Sequence, residues 1–143
     1  AGDAVVWAAG TEAYMWDLRG GRLRWHFKGH LCDIRALAIV EPSDGPAGAP
    51  SCGPESMLVV TGGDDARLCV WDTATGKRVR VLQGPQGELE HAGQVPVGYT
   101  LPPSVTCLTV SREGVLPQLV DGREDGSVVI WRGPWWTACP LTA

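Results

Sequence analysis

Three segments of the chain end on a tryptophan and share one layout, and this repetition restricts the possible folds more than any other feature. The first runs Ala4-Val5-Val6-Trp7-Ala8-Ala9-Gly10 and then Glu12-Ala13-Tyr14-Met15-Trp16-Asp17. The second is Met57–Asp65 followed by Arg67-Leu68-Cys69-Val70-Trp71-Asp72. The third is Gln118–Asp125 followed by Gly126–Trp131. Each is an apolar run, a tight turn and a second run rich in Val, Ile or Trp. Runs this short and this rich in such residues are strands rather than helices. The short connections make each pair an antiparallel hairpin.

The offsets are regular. Trp16 to Trp71 and Gly21 to Gly76 are both 55 positions, and Asp65 to Asp125 and Trp71 to Trp131 are both 60. A further strand follows the first two hairpins (Arg22–Phe27, Lys77–Leu82), and another precedes the later two (Asp33–Val40, Ser104–Val110). The unit is therefore a four-stranded antiparallel sheet, the layout of a propeller blade, whose usual period is about 40–45 residues. Two Pro/Gly-rich insertions, Glu41–Ser56 and Pro85–Pro103, lengthen the spacing and read as surface loops. The expected organisation is a partial first blade over 1–28 and a second over 29–84 interrupted by the 41–56 insertion. The 85–103 insertion and a third blade over 104–143 follow.

The second repeat is where the pattern becomes specific. It carries Gly29-His30, then Thr61 and Asp65, and closes on Trp71-Asp72. These residues resemble the WD40 repeat family, in which His, Ser/Thr, Asp and Trp form a hydrogen-bonded tetrad inside the blade. The resemblance covers about Ala4 to Trp131 and implies an all-β fold of WD40-type blades. Carried over by position, the tetrad is His30, Thr61, Asp65 and Trp71. Those types suit burial, because an indole N–H, a hydroxyl, an imidazole and a carboxylate can satisfy one another in series. The flanking repeats depart from the pattern. In the first, Val6 and Gly10 are expected at the Thr and Asp positions, leaving Trp16. In the third, Asp125 and Trp131 stand in place but Asp121 replaces the hydroxyl. The histidine position there falls on Leu101, with His91 too far away in the insertion.

About two and three-quarter blades do not close a ring, since propellers close with about 4–8. The expectation is an incomplete ring, either a piece of a longer propeller or one completed by another chain. The tail Arg132–Ala143, with Trp135 and Trp136, reads as a fourth strand over Thr137–Leu141 or as an exposed docking patch.

Charge and cysteine usage narrow the class. The formal net charge is −4 with both signs mixed along the chain, so direct nucleic-acid binding is not expected. Five cysteines show no Cys-x-x-Cys spacing. Cys69, Cys107 and Cys139 lie in or beside apolar runs and read as small buried thiols of a reducing compartment. There is no asparagine, hence no N-glycosylation sequon, and no apolar run of membrane-spanning length. The expected location is intracellular, in cytoplasm or nucleus, with no membrane association.

No catalytic motif, metal set or cofactor signature is present. His30, Thr61 and Asp65 together imitate a hydrolase triad, but the resemblance places them inside a blade. The acid pairs Asp64-Asp65 and Glu124-Asp125 sit on hairpin turns with one side chain in and one out, and no third ligand accompanies them. Family members bind partners through the rim of the central channel. The matching positions here are Asp33, Arg35, Ser104 and Thr106 at the starts of the innermost strands, with Asp64 and Glu124 before the tetrad aspartate. Acids, a base and hydroxyls in that arrangement suit a polar or mildly basic peptide. The function expected is therefore a non-catalytic scaffold holding protein partners on a propeller face. The alternatives are a propeller attached to an enzyme, or a chromatin- or RNA-associated propeller acting through protein partners.

Overall fold

The computed structural model describes residues 3–42, 54, 56–83 and 103–137. Ten strands form three antiparallel sheets. The first sheet holds β1 (Ala4–Ala9), β2 (Glu12–Asp17) and β3 (Arg22–Lys28) in sequence order. The second holds β4 (Ile34–Val40), β5 (Leu58–Gly63), β6 (Arg67–Asp72) and β7 (Arg78–Gln83). The third holds β8 (Val105–Ser111), β9 (Gln118–Arg123) and β10 (Val128–Trp131). These are three blades in chain order, the first lacking its innermost strand. The fourth strand expected over Thr137–Leu141 lies outside the described residues from 138 onward, as do His91, Leu101, Cys52 and Cys139.

Packing explains the burial pattern of each strand. Blade two lies between its neighbours, so β5 is buried at all six positions and β6 at four of six. One set of alternate side chains, Leu58, Val60, Leu68 and Val70, packs with Val105, Leu119 and Trp135 of blade three. The other set, Val59, Cys69 and Trp71, packs with Ala13, Met15 and Phe27 of blade one. Burying each such aliphatic side chain contributes about 1.5–3 kcal/mol, so the two seams carry most of the cohesion. A main-chain bond, Ile34 N–H to Gly10 C=O at 2.8 Å, ties blades one and two at one edge.

The outer blades each keep one open face. On blade one, Val5, Trp7, Trp16 and Leu23 remain 36–46% exposed. On blade three, Val128 and Ile130 are 59% and 46% exposed, although their counterparts Leu68 and Val70 in blade two are fully buried. The open face also explains one departure from expectation. Cys107 is exposed rather than buried, because it lies on blade three's uncovered side, whereas Cys69 is 1% exposed between blades one and two.

β-Bulges recur at matching places. Arg35 is the extra residue opposite Gly62 and Gly63, and Thr106 is the extra residue opposite Gly122 and Arg123. Both open the innermost strand of their blade. A bulge twists the strand and re-aims its side chain, so these two residues depart from the alternation that buries their neighbours. The hairpin turns of blades two and three also match, with Ala66 at φ 60° and Gly126 at φ 88°. The Cβ of Ala66 makes that left-handed conformation costly, by about 1–2 kcal/mol.

Blade one differs at its hairpin, which turns on Gly10-Thr11 alone. That turn is one residue shorter, so counting from the tryptophan slips by one across it. In the observed register Trp7 pairs with Tyr14 as Thr61 pairs with Cys69. Trp7, not Val6, therefore occupies the hydroxyl position of blade one. The tail also differs from both expectations. Trp135 is 2% exposed, packed in the seam between blades two and three, and its indole donates to Pro117 C=O at 2.9 Å. Arg80 of β7 donates to the Trp135 and Thr137 carbonyls at 2.8 and 3.2 Å.

Candidate functional site

The same slot on each blade, at the middle of the second and third strands, is filled by three different chemistries. In blade two the Trp71 indole donates to Thr61 Oγ1 at 3.0 Å, and Thr61 Oγ1 lies 2.7 Å from His30 Nε2. His30 Nδ1 stands 2.9 Å from Asp65 Oδ2. Only the Nδ1–H tautomer of His30 satisfies every group: the Thr61 hydroxyl donates to Nε2, and Nδ1–H donates to the carboxylate. Asp65 also accepts the Leu31 and Arg67 main-chain N–H groups at 3.2 Å each. The His30 side chain is fully buried and that of Asp65 is 5% exposed. Phe27 of blade one covers the network, with ring centroids 5.1 Å from Trp71. With every polar atom engaged, Thr61 has no free base to activate it and no path to a substrate.

Blade three fills the slot with an ion pair. Asp121 accepts the Trp131 indole at 2.8 Å and the Arg123 Nε–H at 2.8 Å. The two charged side chains are 0% and 2% exposed. Asp125 does not join Trp131; it lies in the exposed turn and accepts Ser127 N–H and Oγ–H at 2.9 and 2.6 Å. Arg123 was not among the residues singled out from the sequence.

In blade one the slot holds rings. Trp7, Tyr14 and His26 stack across the three strands, with centroids 5.2 and 4.5 Å apart and planes within 18°. Glu12 accepts from Tyr14 Oη–H at 2.9 Å and lies 2.8 Å from His26 Nε2. The His26 bond, then the Tyr14 bond, hold the Glu12 carboxyl below its ordinary value. Trp16 flanks this stack on the open face.

The candidate binding residues gather at the edge where the hairpin turns and the starts of β4 and β8 meet. Arg35 grips Asp64 with both Nε and Nη2 at 3.0–3.1 Å. The Arg35 bond, and after it a bond from Ser104, hold the Asp64 carboxyl below its ordinary range against the opposing effect of desolvation. Asp64 in turn raises Arg35, with smaller contributions from the charges of Asp33 and Glu124. Main-chain bonds fix the geometry: Asp64 N–H to Asp33 C=O at 3.0 Å and Glu124 N–H to Ser104 C=O at 2.9 Å. Five of the six positions therefore form one patch across the seam of blades two and three. Thr106 stands apart from it, its hydroxyl donating to Gly122 C=O at 3.2 Å. Three carboxylates surround one guanidinium, and the Arg35 side chain is 56% exposed. Among the described residues, no group of three His, Cys, Asp or Glu could hold a metal ion.

The WD domain, G-beta repeat family (WD40) matches residues 21–72, the stretch from β3 through the tetrad tryptophan. The chain is a WD40 propeller segment. Among curated proteins it is similar to the Denticleless protein homolog of Danio rerio, 27% identical over 130 residues. That alignment covers 90% of this chain and 17% of the relative. THO complex subunit 6 of Arabidopsis thaliana is 31% identical over 80 residues, covering 55% of this chain and 18% of that protein. The chain thus spans under a fifth of the length of these WD40 relatives. Among solved structures, the computationally designed Ika8 protein superposes with a TM-score of 0.60 at 24% identity, covering 93% of this chain and 31% of its own. The designed Ika4 protein gives 0.57 at 24% identity, over 92% and 61%. Those two likenesses concern the fold alone.

Proposed function

We propose that this WD40 segment is a non-catalytic part of a protein-interaction scaffold, and that its Asp33–Arg35–Asp64–Ser104–Glu124 patch meets a polar or mildly basic peptide. The observation that carries the reading is the division of its polar residues. His30, Thr61 and Asp65 are consumed inside the blade, while the charged residues left at the rim are exposed and carry excess negative charge. Such a rim steers and selects partners more than it adds raw affinity. One relative is by name a subunit of a complex, which accords with a role in assembly. The open faces at Trp7 and Trp16 and at Val128 and Ile130 are apolar in the manner of the two buried seams. They suit coverage by further blades of a longer protein or of another chain. No helix among the described residues is long and apolar enough to cross a membrane. The free thiols Cys32, Cys69 and Cys107 accord with an intracellular setting.

The test is affinity capture with the full-length protein that carries this segment. Replacing Asp64 and Glu124 by lysine is expected to lower recovery of its partners by roughly fivefold or more, as rim charges govern encounter. The thermal melt should stay within a few degrees, since both side chains lie at the surface. Undiminished recovery, or turnover of a substrate that survives the exchange, contradicts the proposal.

A further inference from the structure

The opposite edge of the molecule holds a second feature. Strand directions place the hairpin turns and the starts of β4 and β8 at one edge. The starts of β1 and β5 and the ends of β2, β4 and β6 lie at the other. There, in the seam between blades one and two, a cavity of about 370 Å³ opens, at the small end of the ~300–1,000 Å³ of ligand pockets. Its lining includes Met15 and Met57, which are both of the chain's two methionines. Asp3, Asp17 and Glu41 also line it, with Arg24 the one cation.

From this arrangement we infer a binding site for an arginine or lysine side chain carried on a partner protein segment. It is separate from the rim patch and independent of whether that patch binds. Each part of the cavity matches a part of such a side chain. Met15 is 3% exposed, so the apolar wall is continuous with the core of the seam. Thioether side chains are flexible and polarizable and adapt to an aliphatic stem, and long basic side chains bury that stem while keeping the charged head in a polar setting. Three carboxylates against one guanidinium supply that setting. Asp3 is partly engaged, with Arg19 Nε at 3.4 Å, and Asp17 accepts the Arg19 main-chain N–H at 3.0 Å. Neither Asp17 nor Glu41 forms an ion pair among the described residues, so their charge is available to an incoming cation. The same excess of carboxylates repels phosphate backbones and acidic peptides. The Trp25 indole, donating to Thr73 C=O at 2.6 Å, bridges the two blades beside the cavity and holds its walls in register.

Because both methionines line the cavity, the probe is built in. With ¹³C-ε-methyl-methionine in the 143-residue chain, the tripeptide amide Ac-Ala-Arg-Ala-NH2 is expected to shift both methyl resonances saturably. Ac-Ala-Glu-Ala-NH2 should bind about tenfold more weakly or not at all. Glu41→Lys, at an exposed side chain, should weaken the arginine peptide by roughly fivefold, and Arg24→Gln should tighten it. Asp64→Lys with Glu124→Lys should leave it unchanged, which separates this site from the rim patch. Unmoved methyl signals, equal shifts with the glutamate peptide, or affinity insensitive to both Glu41→Lys and Arg24→Gln would overturn the inference.

Discussion

Replacing Trp71 by alanine is expected to cost about 3–5 kcal/mol of stability, the range for truncating a large buried aromatic. The side chain is 3% exposed and fills the seam against Phe27. Its loss leaves a cavity there and takes from the Thr61 hydroxyl the N–H it accepts. His30→Ala is expected to be damaging by another route, since it leaves the Asp65 carboxylate and the Thr61 hydroxyl buried without their shared partner. The corresponding change at Trp16, a ring 36% exposed on an open face, should cost far less. Denaturant midpoints at constant slope separate the two cases. Equal losses at Trp16 and Trp71 would mean that position in the repeat, rather than the network, sets the cost.

Breaking the ion pair of blade three is the second large effect. Arg123→Ala should destabilise by about 3–5 kcal/mol, because it strands the Asp121 carboxylate in the seam. The pair itself is a weaker asset than that figure suggests, since both charges lose their hydration on folding. Replacing both partners, Asp121→Leu with Arg123→Met, is therefore expected to recover most of the loss. A double-mutant cycle reads the coupling directly. If the double variant is as unstable as Arg123→Ala alone, the pair contributes through packing rather than charge.

The repeat made much of this legible. Hairpins that end on Trp16, Trp71 and Trp131 gave the strand order, and matching offsets led to rim positions that the fold gathers at one edge. Position alone could not tell that Arg35 and Thr106 are bulge residues, since a bulge is defined by the partner strand. Arg123 had a signal in the sequence: it lies two residues from Asp121, so the strand period puts both on one face. Reading Asp121 only as a lost hydroxyl concealed that pair. The slip from Trp7 to Val6 came from counting through a turn one residue shorter than its counterpart. Burial of Cys107 was misjudged because an apolar run promises a buried face only where a neighbouring element exists to cover it. The place of Trp135 depends on a turn after β10 and on Arg80, fifty-five residues earlier, which no local pattern reveals.

Hydrogen exchange at the tryptophan indoles tests the three-blade arrangement most directly. Trp71, Trp131, Trp135 and Trp25 each donate to a protein acceptor between 2.6 and 3.0 Å away. Trp7 and Trp16 lie on the open face of blade one, 39% and 36% exposed. The bonded four are expected to exchange slower than Trp7 and Trp16 by about two orders of magnitude, as buried bonds open only with their blades. The Trp71 signal should lose its protection in His30→Ala, and the Trp16 signal should be indifferent to that change. Exchange at Trp71 and Trp131 as fast as at Trp16 would contradict the blades, their networks and the interaction surface built on them.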